Sequence, residues 1–92
     1  MLSSLFGSRL RAKALGWLLT HPDQRTFVRQ LAGFINENNA NLSRELNMLA
    51  GLGIVVSQIE GRQRYYQANR ACPVYDDLRG LVVKTFGIGD RD

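Results

Sequence analysis

The sequence is poor in the residues that build disulfides, metal sites and enzyme active sites. It has one cysteine, Cys72, and one histidine, His21, so an internal disulfide and a multi-cysteine metal site are excluded. It contains no glycine-rich phosphate-binding loop. Its adjacent carboxylates, Asp76 and Asp77, point about 100° apart on a helix and do not converge on one substrate. We therefore expect no enzymatic activity, no catalytic residue, no metal site and no cofactor.

Long apolar runs are also missing. Nothing approaches the roughly 20 consecutive apolar residues that span a bilayer. Residues 1–7 lack the charged beginning and the long apolar stretch of a secretory signal. We expect a cytoplasmic protein without a membrane partner, and 92 residues fit one domain with a small core.

The charge that is present is mostly positive and unevenly distributed. The formal net charge is +4, and residues 1–70 contain nine basic but only four acidic side chains. Residues 71–92 contain three basic and four acidic ones. A basic body with a near-neutral tail is typical of a nucleic-acid surface joined to a separate packing or dimer element. A solvated basic surface without a nucleic-acid partner explains the same counts, and both interpretations stay open.

Hydrophobic spacing and turn residues predict a mainly α domain with a small β-hairpin, an α+β fold that occupies residues 1–92. We predict helices at 9–19, 28–35, 39–52 and 74–86, a possible short strand at 25–27, and strands at 54–60 and 63–68 around the turn Gly61-Arg62. Ser8, Gly53 and Gly87 are candidate helix caps. The residues expected to face the core from the four helices are Leu10, Ala14, Trp17 and Leu18, then Val28, Leu31, Ala32 and Ile35, then Leu42, Leu46 and Leu49, then Val74, Leu78, Leu81, Val82 and Thr85.

The second and third helices, with the hairpin after them, have polar residues where a DNA-reading surface needs them. A helix after a tight turn can enter the major groove, where asparagine suits adenine, and arginine suits guanine or phosphate. Serine bonds to bases or phosphates, and the free N–H groups at the helix start can hold a phosphate. The candidate DNA-binding residues are Asn38, Asn39, Asn41, Ser43, Arg44 and Asn47 on or before helix 39–52, with Arg62 and Arg64 on the hairpin.

Each candidate also has a structural interpretation. Asn38 suits a helix cap, and Arg44 can pair with Glu45 or Glu37. Charged hairpin residues often protect an exposed sheet edge from aggregation, which applies to Arg62 and Arg64 alike. We favour Arg62 at the hairpin tip over Arg64, because strand alternation turns Arg64 away from its neighbours Gln63 and Tyr65. Tyr65 and Tyr66 are interpreted as packing aromatics rather than base-stacking ones.

Two segments resemble winged helix-turn-helix transcriptional regulators of the ArsR-like group. Their recognition helix and first wing strand are similar to NLSRELNMLAGLGIV (41–55), and their wing is similar to EGRQRYY (60–66). The resemblance covers about residues 8–87 and implies a helix-turn-helix at 28–52, a wing at 54–68 and sequence-specific DNA binding. A further likeness, carried by LRGLVVKTFG (78–87), is to small winged-helix domains that precede a nucleotidyltransferase domain. Metal-sensing ArsR-like proteins carry paired cysteines on the helix before the turn, and residues 28–35 have none.

The expected partners are double-stranded DNA and a second copy of the chain. The terminal helices, 10–19 and 74–86, are the candidate dimer contact, and Tyr75 and Phe86 suit either that contact or the core. The alternative is a winged helix that binds a protein, such as a regulatory partner or antitoxin of a nucleotidyltransferase. An apolar exposed face on helix 39–52 would favour that alternative, and Met48 is its one strongly apolar candidate.

Overall fold

A computed structural model describes residues 9–86, so the proposed caps Ser8 and Gly87 lie outside the described residues. Within this range the predicted α+β fold and its element order are confirmed. The elements are α1 (Arg9–Thr20), β1 (Thr26–Phe27), α2 (Val28–Ile35), α3 (Asn39–Gly51), β2 (Val55–Glu60), β3 (Gln63–Ala68) and α4 (Tyr75–Phe86).

The core lies where α1 meets the other helices and the sheet. The predicted stripe of α3, Leu42, Leu46 and Leu49, is fully buried. On α1 the buried face is broader than the spacing predicted, since Ala12, Leu15 and Leu19 are buried as well. The reason is that α1 contacts α2, α3, α4 and β3, so more than one side of this helix is covered. Leu10, Trp17 and Val28, also expected in the core, are only partly buried against it.

Local hydrogen bonds fix both ends of α3. The Asn38 side chain accepts a 3.0 Å hydrogen bond from the backbone N–H of Asn41, so the capping interpretation is confirmed. At the other end, Ile54 N–H donates to Leu49 O and Gly53 N–H to Ala50 O, with Gly53 at φ +83°. This pair of bonds is a Schellman motif, which requires a left-handed residue at the position of Gly53. The helix that carries most candidate residues therefore has a defined start and end.

The three strands form one antiparallel sheet in the order β1-β3-β2. Thr26 pairs with Tyr66, and Glu60 pairs with Gln63 across the hairpin turn. Gly61 has φ +63°, while Arg62 has no positive φ, which is the pattern of a two-residue type II′ turn. Tyr66 is buried and Tyr65 half-buried, so both are packing aromatics, as predicted.

The last helix differs from its prediction. It begins at Tyr75 rather than Val74, and Val74 and Leu81 are 45% and 38% exposed instead of facing the core. Tyr75 is buried, and its hydroxyl donates a 3.2 Å hydrogen bond to Leu19 O. Tyr75 therefore belongs to the core, and its suggested role in a dimer contact is wrong. Side-chain burial is described only as far as Lys84, so the expected packing of Thr85 and Phe86 stays a prediction.

No helix within residues 9–86 combines the length and the apolar character needed to cross a bilayer.

Candidate nucleic-acid interface

The outward face of α3 is polar. Asn39, Asn41, Arg44 and Asn47 are exposed, and Ser43 is half-buried. Because Leu42, Leu46 and Leu49 hold the opposite side against the core, these polar residues project away from the body of the protein. The sequence-predicted residues of this helix are therefore accessible, with Asn39, Ser43 and Asn47 on one side of the exposed face and Asn41 and Arg44 on the other.

The Arg44 side chain forms a hydrogen bond within α3 and no ion pair with a carboxylate of the described residues. Its guanidinium donates a 2.5 Å hydrogen bond to Oδ1 of Asn41, one turn earlier. The alternative pairing with Glu45 or Glu37 is wrong, because both carboxylates bind cations of α1. Arg11 pairs with Glu45 at 2.5 Å and Lys13 pairs with Glu37 at 2.7 Å.

A polar cleft runs between α2, α3 and the hairpin. Asn39, Ser43 and Asn47 line it from α3, and Arg64 lines it from β3. The remaining residues that line it are Phe27, Val28, Arg29, Gln63 and Tyr66. Four of the predicted site residues thus meet at one concave surface. Asn38, Asn41, Arg44 and Arg62 are not among the residues that line it.

Arg29 was missed by the sequence analysis. It is exposed on the first turn of α2 and lines the cleft opposite the wing. Nothing in the sequence singled it out, because its place at this surface depends on how α2 and the wing are arranged around one cleft. Arg29 and Arg64 therefore supply positive charge to this cleft.

The cleft is held together by a hydrogen bond between the wing and α3. The hydroxyl of Tyr66 donates a 2.7 Å hydrogen bond to Oδ1 of Asn47. Burial raises the pKa of the Tyr66 phenol, and the smaller effect of the Arg64 charge lowers it. The phenol is therefore neutral at physiological pH and remains a donor.

The two wing arginines occupy different places. Arg62 is exposed in the turn, which agrees with its predicted position at the tip. Arg64 lies on the same face of β3 as the buried Tyr66, because alternate strand residues share a face. Its guanidinium donates a 3.1 Å hydrogen bond to Ser57 Oγ across the hairpin. Arg64 lines the cleft and Arg62 does not, and the preference for Arg62 as a DNA contact stays a prediction.

A separate contact ties the wing to β1. Arg25, just before that strand, pairs with Glu60 at 2.6 Å, and its guanidinium lies 4.4 Å from the ring centre of Tyr65. Phe27 meets the same ring edge-on at 5.7 Å. The hydrogen bond from Arg25, aided by its charge, lowers the pKa of the Glu60 carboxyl. The tie restrains the outer strand near the turn that carries Arg62.

Ion pairing leaves positive charge concentrated at the candidate surface. Every carboxylate between residues 9 and 70 pairs with a cation that is distant in the sequence, in the pairs Arg11–Glu45, Lys13–Glu37, Arg25–Glu60 and Arg70–Asp23. Within the described residues of this stretch, the cations without an acidic partner are Arg9, Arg29, Arg44, Arg62 and Arg64. Arg29 and Arg64 line the cleft, and Arg44 lies on the exposed face of α3. These charges attract anions to this surface.

Cys72 and His21, which belong to no clustered metal-ligand motif within the described residues, pack against apolar and aromatic neighbours. Cys72 is half-buried against the core. His21 stacks on Trp17 at 4.3 Å, and its Nδ1 lies 2.7 Å from Trp17 O. Met48 is 36% exposed, and its sulfur lies 3.4 Å from a guanidinium nitrogen of Arg11. Leu52, at the C-cap of α3, is 64% exposed, so the large exposed apolar side chains of this helix within the described residues are Met48 and Leu52, both at its C-terminal end.

Comparisons with known proteins identify structural likeness only. No family model matches the sequence, and no curated protein matches it. Among solved structures, NolR from Sinorhizobium fredii aligns with a TM-score of 0.69 at 19% identity, over 94% of this chain and 81% of NolR. HlyU from Vibrio cholerae aligns with a TM-score of 0.67 at 18% identity, over 94% of this chain and 88% of HlyU.

A third structure is MepR, described as a transcription regulator of the Staphylococcus aureus multidrug efflux pump MepA. It aligns with a TM-score of 0.72 at 14% identity, over 94% of this chain but only 62% of MepR. The chain thus spans less than two thirds of that protein. At these identities the likeness shows the fold, and the chain has the winged helix-turn-helix architecture.

Proposed function

We propose that this protein is a sequence-specific, double-stranded DNA-binding transcriptional regulator of the cytoplasm, which binds as a homodimer. In this proposal α3 enters the major groove and the wing holds the adjacent backbone or minor groove. The observation that carries it is the cleft in which Asn39, Ser43 and Asn47 of α3 face Arg64 of the wing. The ArsR-like assignment belongs to this proposal and rests on segments 41–55 and 60–66.

The hydrogen bonds within the site divide the asparagines into two kinds. The Oδ1 atoms of Asn41 and Asn47 accept bonds from Arg44 and Tyr66, so their amide N–H groups are left to donate. Donors of this kind suit the N7 and O6 acceptors of guanine, or phosphate oxygens. Asn39 is exposed and has no side-chain hydrogen bond to a described residue, so it can donate and accept together, as adenine requires.

The arginines divide in the same way. Arg44 projects from the exposed face of α3 and suits a base edge. Arg29 and Arg64 line opposite sides of the cleft, and Arg62 extends from the wing tip, which suits phosphates on either side of the groove. In this arrangement α3 selects the DNA sequence. The flanking arginines position the protein on the duplex and supply most of the binding affinity.

A homodimer completes the proposal. One recognition helix offers a small interface, and two half-sites about one helical turn apart raise both affinity and selectivity. The terminal helices remain the proposed contact, since α1 and α4 pack on each other away from the cleft. The alternative of a protein-binding winged helix, including a nucleotidyltransferase partner, has less support, because the outward face of α3 is polar.

Binding of a fluorescent random-sequence duplex, followed by anisotropy at several salt concentrations, tests DNA binding itself. We expect binding at low salt, with an affinity that falls linearly with salt on logarithmic axes. Arg29→Ala should weaken binding, whereas Arg70→Ala should not, because Arg70 lies at the other end of β3 beside Asp23. No binding of the wild type at low salt would contradict the proposal.

A further inference from the structure

A small, mostly apolar pocket lies between the end of α1 and the end of α2. Its volume is about 280 Å³. Sites for drug-sized ligands measure roughly 300–1,000 Å³, so this pocket suits a smaller ligand of one or two rings. Three aromatic side chains line it, namely Trp17, His21 and Phe34. The pocket shares no lining residue with the polar cleft, so it is a second and separate concave surface.

The three aromatic rings of the pocket are nearly parallel. The Trp17 and His21 ring centres are 4.3 Å apart, with 12° between the ring planes. The Trp17 and Phe34 ring centres are 5.2 Å apart, with 18° between the planes. Phe34 is nevertheless 55% exposed, so this stack leaves much of its side chain open. Because aromatic rings favour offset parallel contacts, a flat aromatic ligand can extend the stack in the orientation that the rings already have.

The hydrogen bonds around His21 define the roles of its two ring nitrogens. Nδ1 lies 2.7 Å from the carbonyl oxygen of Trp17, which can only accept, so Nδ1 carries a hydrogen. In the neutral imidazole Nε2 is then an acceptor, and no described residue donates a hydrogen bond to it. The nearby hydroxyl of Thr20 donates to Gly16 O at 2.6 Å. A ligand with an O–H or N–H group beside its ring can therefore donate to Nε2.

The pocket favours an uncharged ligand. Lys13 lines it, but the ammonium group of Lys13 pairs with Glu37 at 2.7 Å. Thr20 and Asn36, which also line it, have uncharged side chains. A charged ligand would lose hydration in this mostly apolar pocket without gaining a free opposite charge. A neutral molecule should therefore bind better than a carboxylate or an amine.

From this geometry we infer that the pocket binds a small, neutral, planar aromatic molecule with one hydroxyl or ring N–H donor, the class that includes phenols and indoles. The parallel rings select for planarity, Nε2 of His21 selects for the donor, and the volume limits the size. The inference does not rest on DNA binding. Asn36, the left-handed C-cap of α2, lines the pocket, so the ligand would touch the turn that leads to α3.

Phenol is the test ligand, because it is the simplest member of this class. Trp17 is the one tryptophan of the chain, so its fluorescence, excited where neither tyrosine nor phenol absorbs, reports on the pocket. We expect a saturable fluorescence change on titration of the full chain with phenol. Amide NMR shifts should concentrate at residues 13–21 and 34–36. A fluorescence loss that never saturates, or shifts concentrated elsewhere, would overturn the site.

Two ligands of similar size separate the ring from the donor. Cyclohexanol keeps the hydroxyl and loses the flat ring, whereas toluene keeps the flat ring and loses the donor. Each should bind about fivefold more weakly than phenol, since one lacks the stacking and the other the hydrogen bond. Binding of either as tight as that of phenol would overturn the ligand class. Tighter binding of N-acetyl-tyrosinamide than of phenol would overturn the small-molecule assignment in favour of a protein side chain.

Substitutions test the residues of the pocket. Phe34→Leu removes an exposed ring but keeps an apolar side chain, so it should weaken phenol binding about fivefold. Phe27→Leu makes the same change outside the pocket and should leave phenol binding unchanged. His21→Phe keeps a flat ring and removes Nε2, so phenol and toluene should then bind equally. Circular dichroism checks the fold of each variant. Unchanged phenol affinity in Phe34→Leu, or a retained preference for phenol over toluene in His21→Phe, would contradict the inference.

The pocket and the proposed function fail separately. Saturable phenol binding with the expected variant pattern, but without duplex binding, would leave the pocket and remove the DNA-binding function. Duplex binding without saturable phenol binding would keep that function and remove the pocket.

Discussion

The hydroxyl of Tyr66 on the wing and the side-chain oxygen of Asn47 on α3 are joined by a 2.7 Å hydrogen bond. The bond links the two elements that form the candidate DNA surface. It also orients the Asn47 amide, because an oxygen held by Tyr66 turns the N–H groups outward. A single buried aromatic thus sets both the position of the wing and the hydrogen-bonding character of a proposed reading residue.

Replacing Tyr66 by phenylalanine tests this link. Tyr66→Phe keeps the buried ring and removes the donor, so the free energy of unfolding should fall by about 1 kcal/mol. Loss of the link should also weaken binding to DNA, because the Asn47 amide becomes free to rotate. Urea denaturation and anisotropy titrations measure the two effects.

Tyr65→Phe is the matched control. It removes the same atom one residue away, where the tyrosine ring contacts Phe27 and Arg25 and no hydrogen bond of its hydroxyl to a described residue occurs. It should change stability and binding less than Tyr66→Phe. Equal effects of the two substitutions would show that the Tyr66–Asn47 bond has no special role.

Asn38 separates capping from DNA contact. Because its side chain holds the Asn41 N–H, Asn38→Ala should lower the free energy of unfolding by about 0.5–2 kcal/mol. Asn38→Ser should restore most of this loss, since serine also caps helices well. Neither variant should alter the preferred DNA sequence. A changed base preference in Asn38→Ser would instead assign Asn38 to base contact.

The wing arginines should act on DNA of any sequence. Loss of one phosphate contact lowers the slope of log affinity against log salt by about 0.9. Arg62→Ala and Arg64→Ala should each flatten the slope by about this amount and weaken binding to all duplexes alike. Arg70→Ala should leave the slope unchanged. A sequence-dependent loss in either wing variant would mean that the wing reads bases.

The tie between Arg25 and Glu60 should appear in the pH dependence of the wing. A lowered pKa of Glu60 in the folded state means that this tie stabilises the fold above the unfolded pKa of about 4.3. The contribution is lost as the pH falls through the lowered folded value. Arg25→Ala should therefore raise the pKa of Glu60 toward its ordinary value, as measured by NMR titration of the carboxyl carbon. An unchanged pKa would exclude the tie in solution.

The sequence was sufficient for features that depend on local spacing. The leucine stripe of α3 and the Asn38 cap follow from residues within one or two turns of each other, and both are present. The short strand before α2 was also predictable, because β-branched and aromatic residues follow a proline turn there. Each of these features depends on residues that are close together in the sequence, so each can be predicted without the three-dimensional structure.

Features that depend on three-dimensional contacts were harder to predict. Tyr75 is in the core because its hydroxyl reaches Leu19 O on α1, which no local spacing reveals. Whether Arg64 lines the cleft depended on which face of β3 packs inward, and burial of Tyr66 decides that face. Arg29 could be recognised as a residue of the cleft only from the structure, where α2 and the wing line the same cleft.

The central claim is that α3 selects a DNA sequence, and selection of binding sites from a random duplex pool at stated salt tests it most directly. We predict one dominant motif for the wild type. Arg44→Ala should lose preference at one base position, by about 1–3 kcal/mol of discrimination, and keep the remainder of the motif. Failure of the wild type to enrich any motif, or an identical motif with identical affinity for Arg44→Ala, would contradict the account.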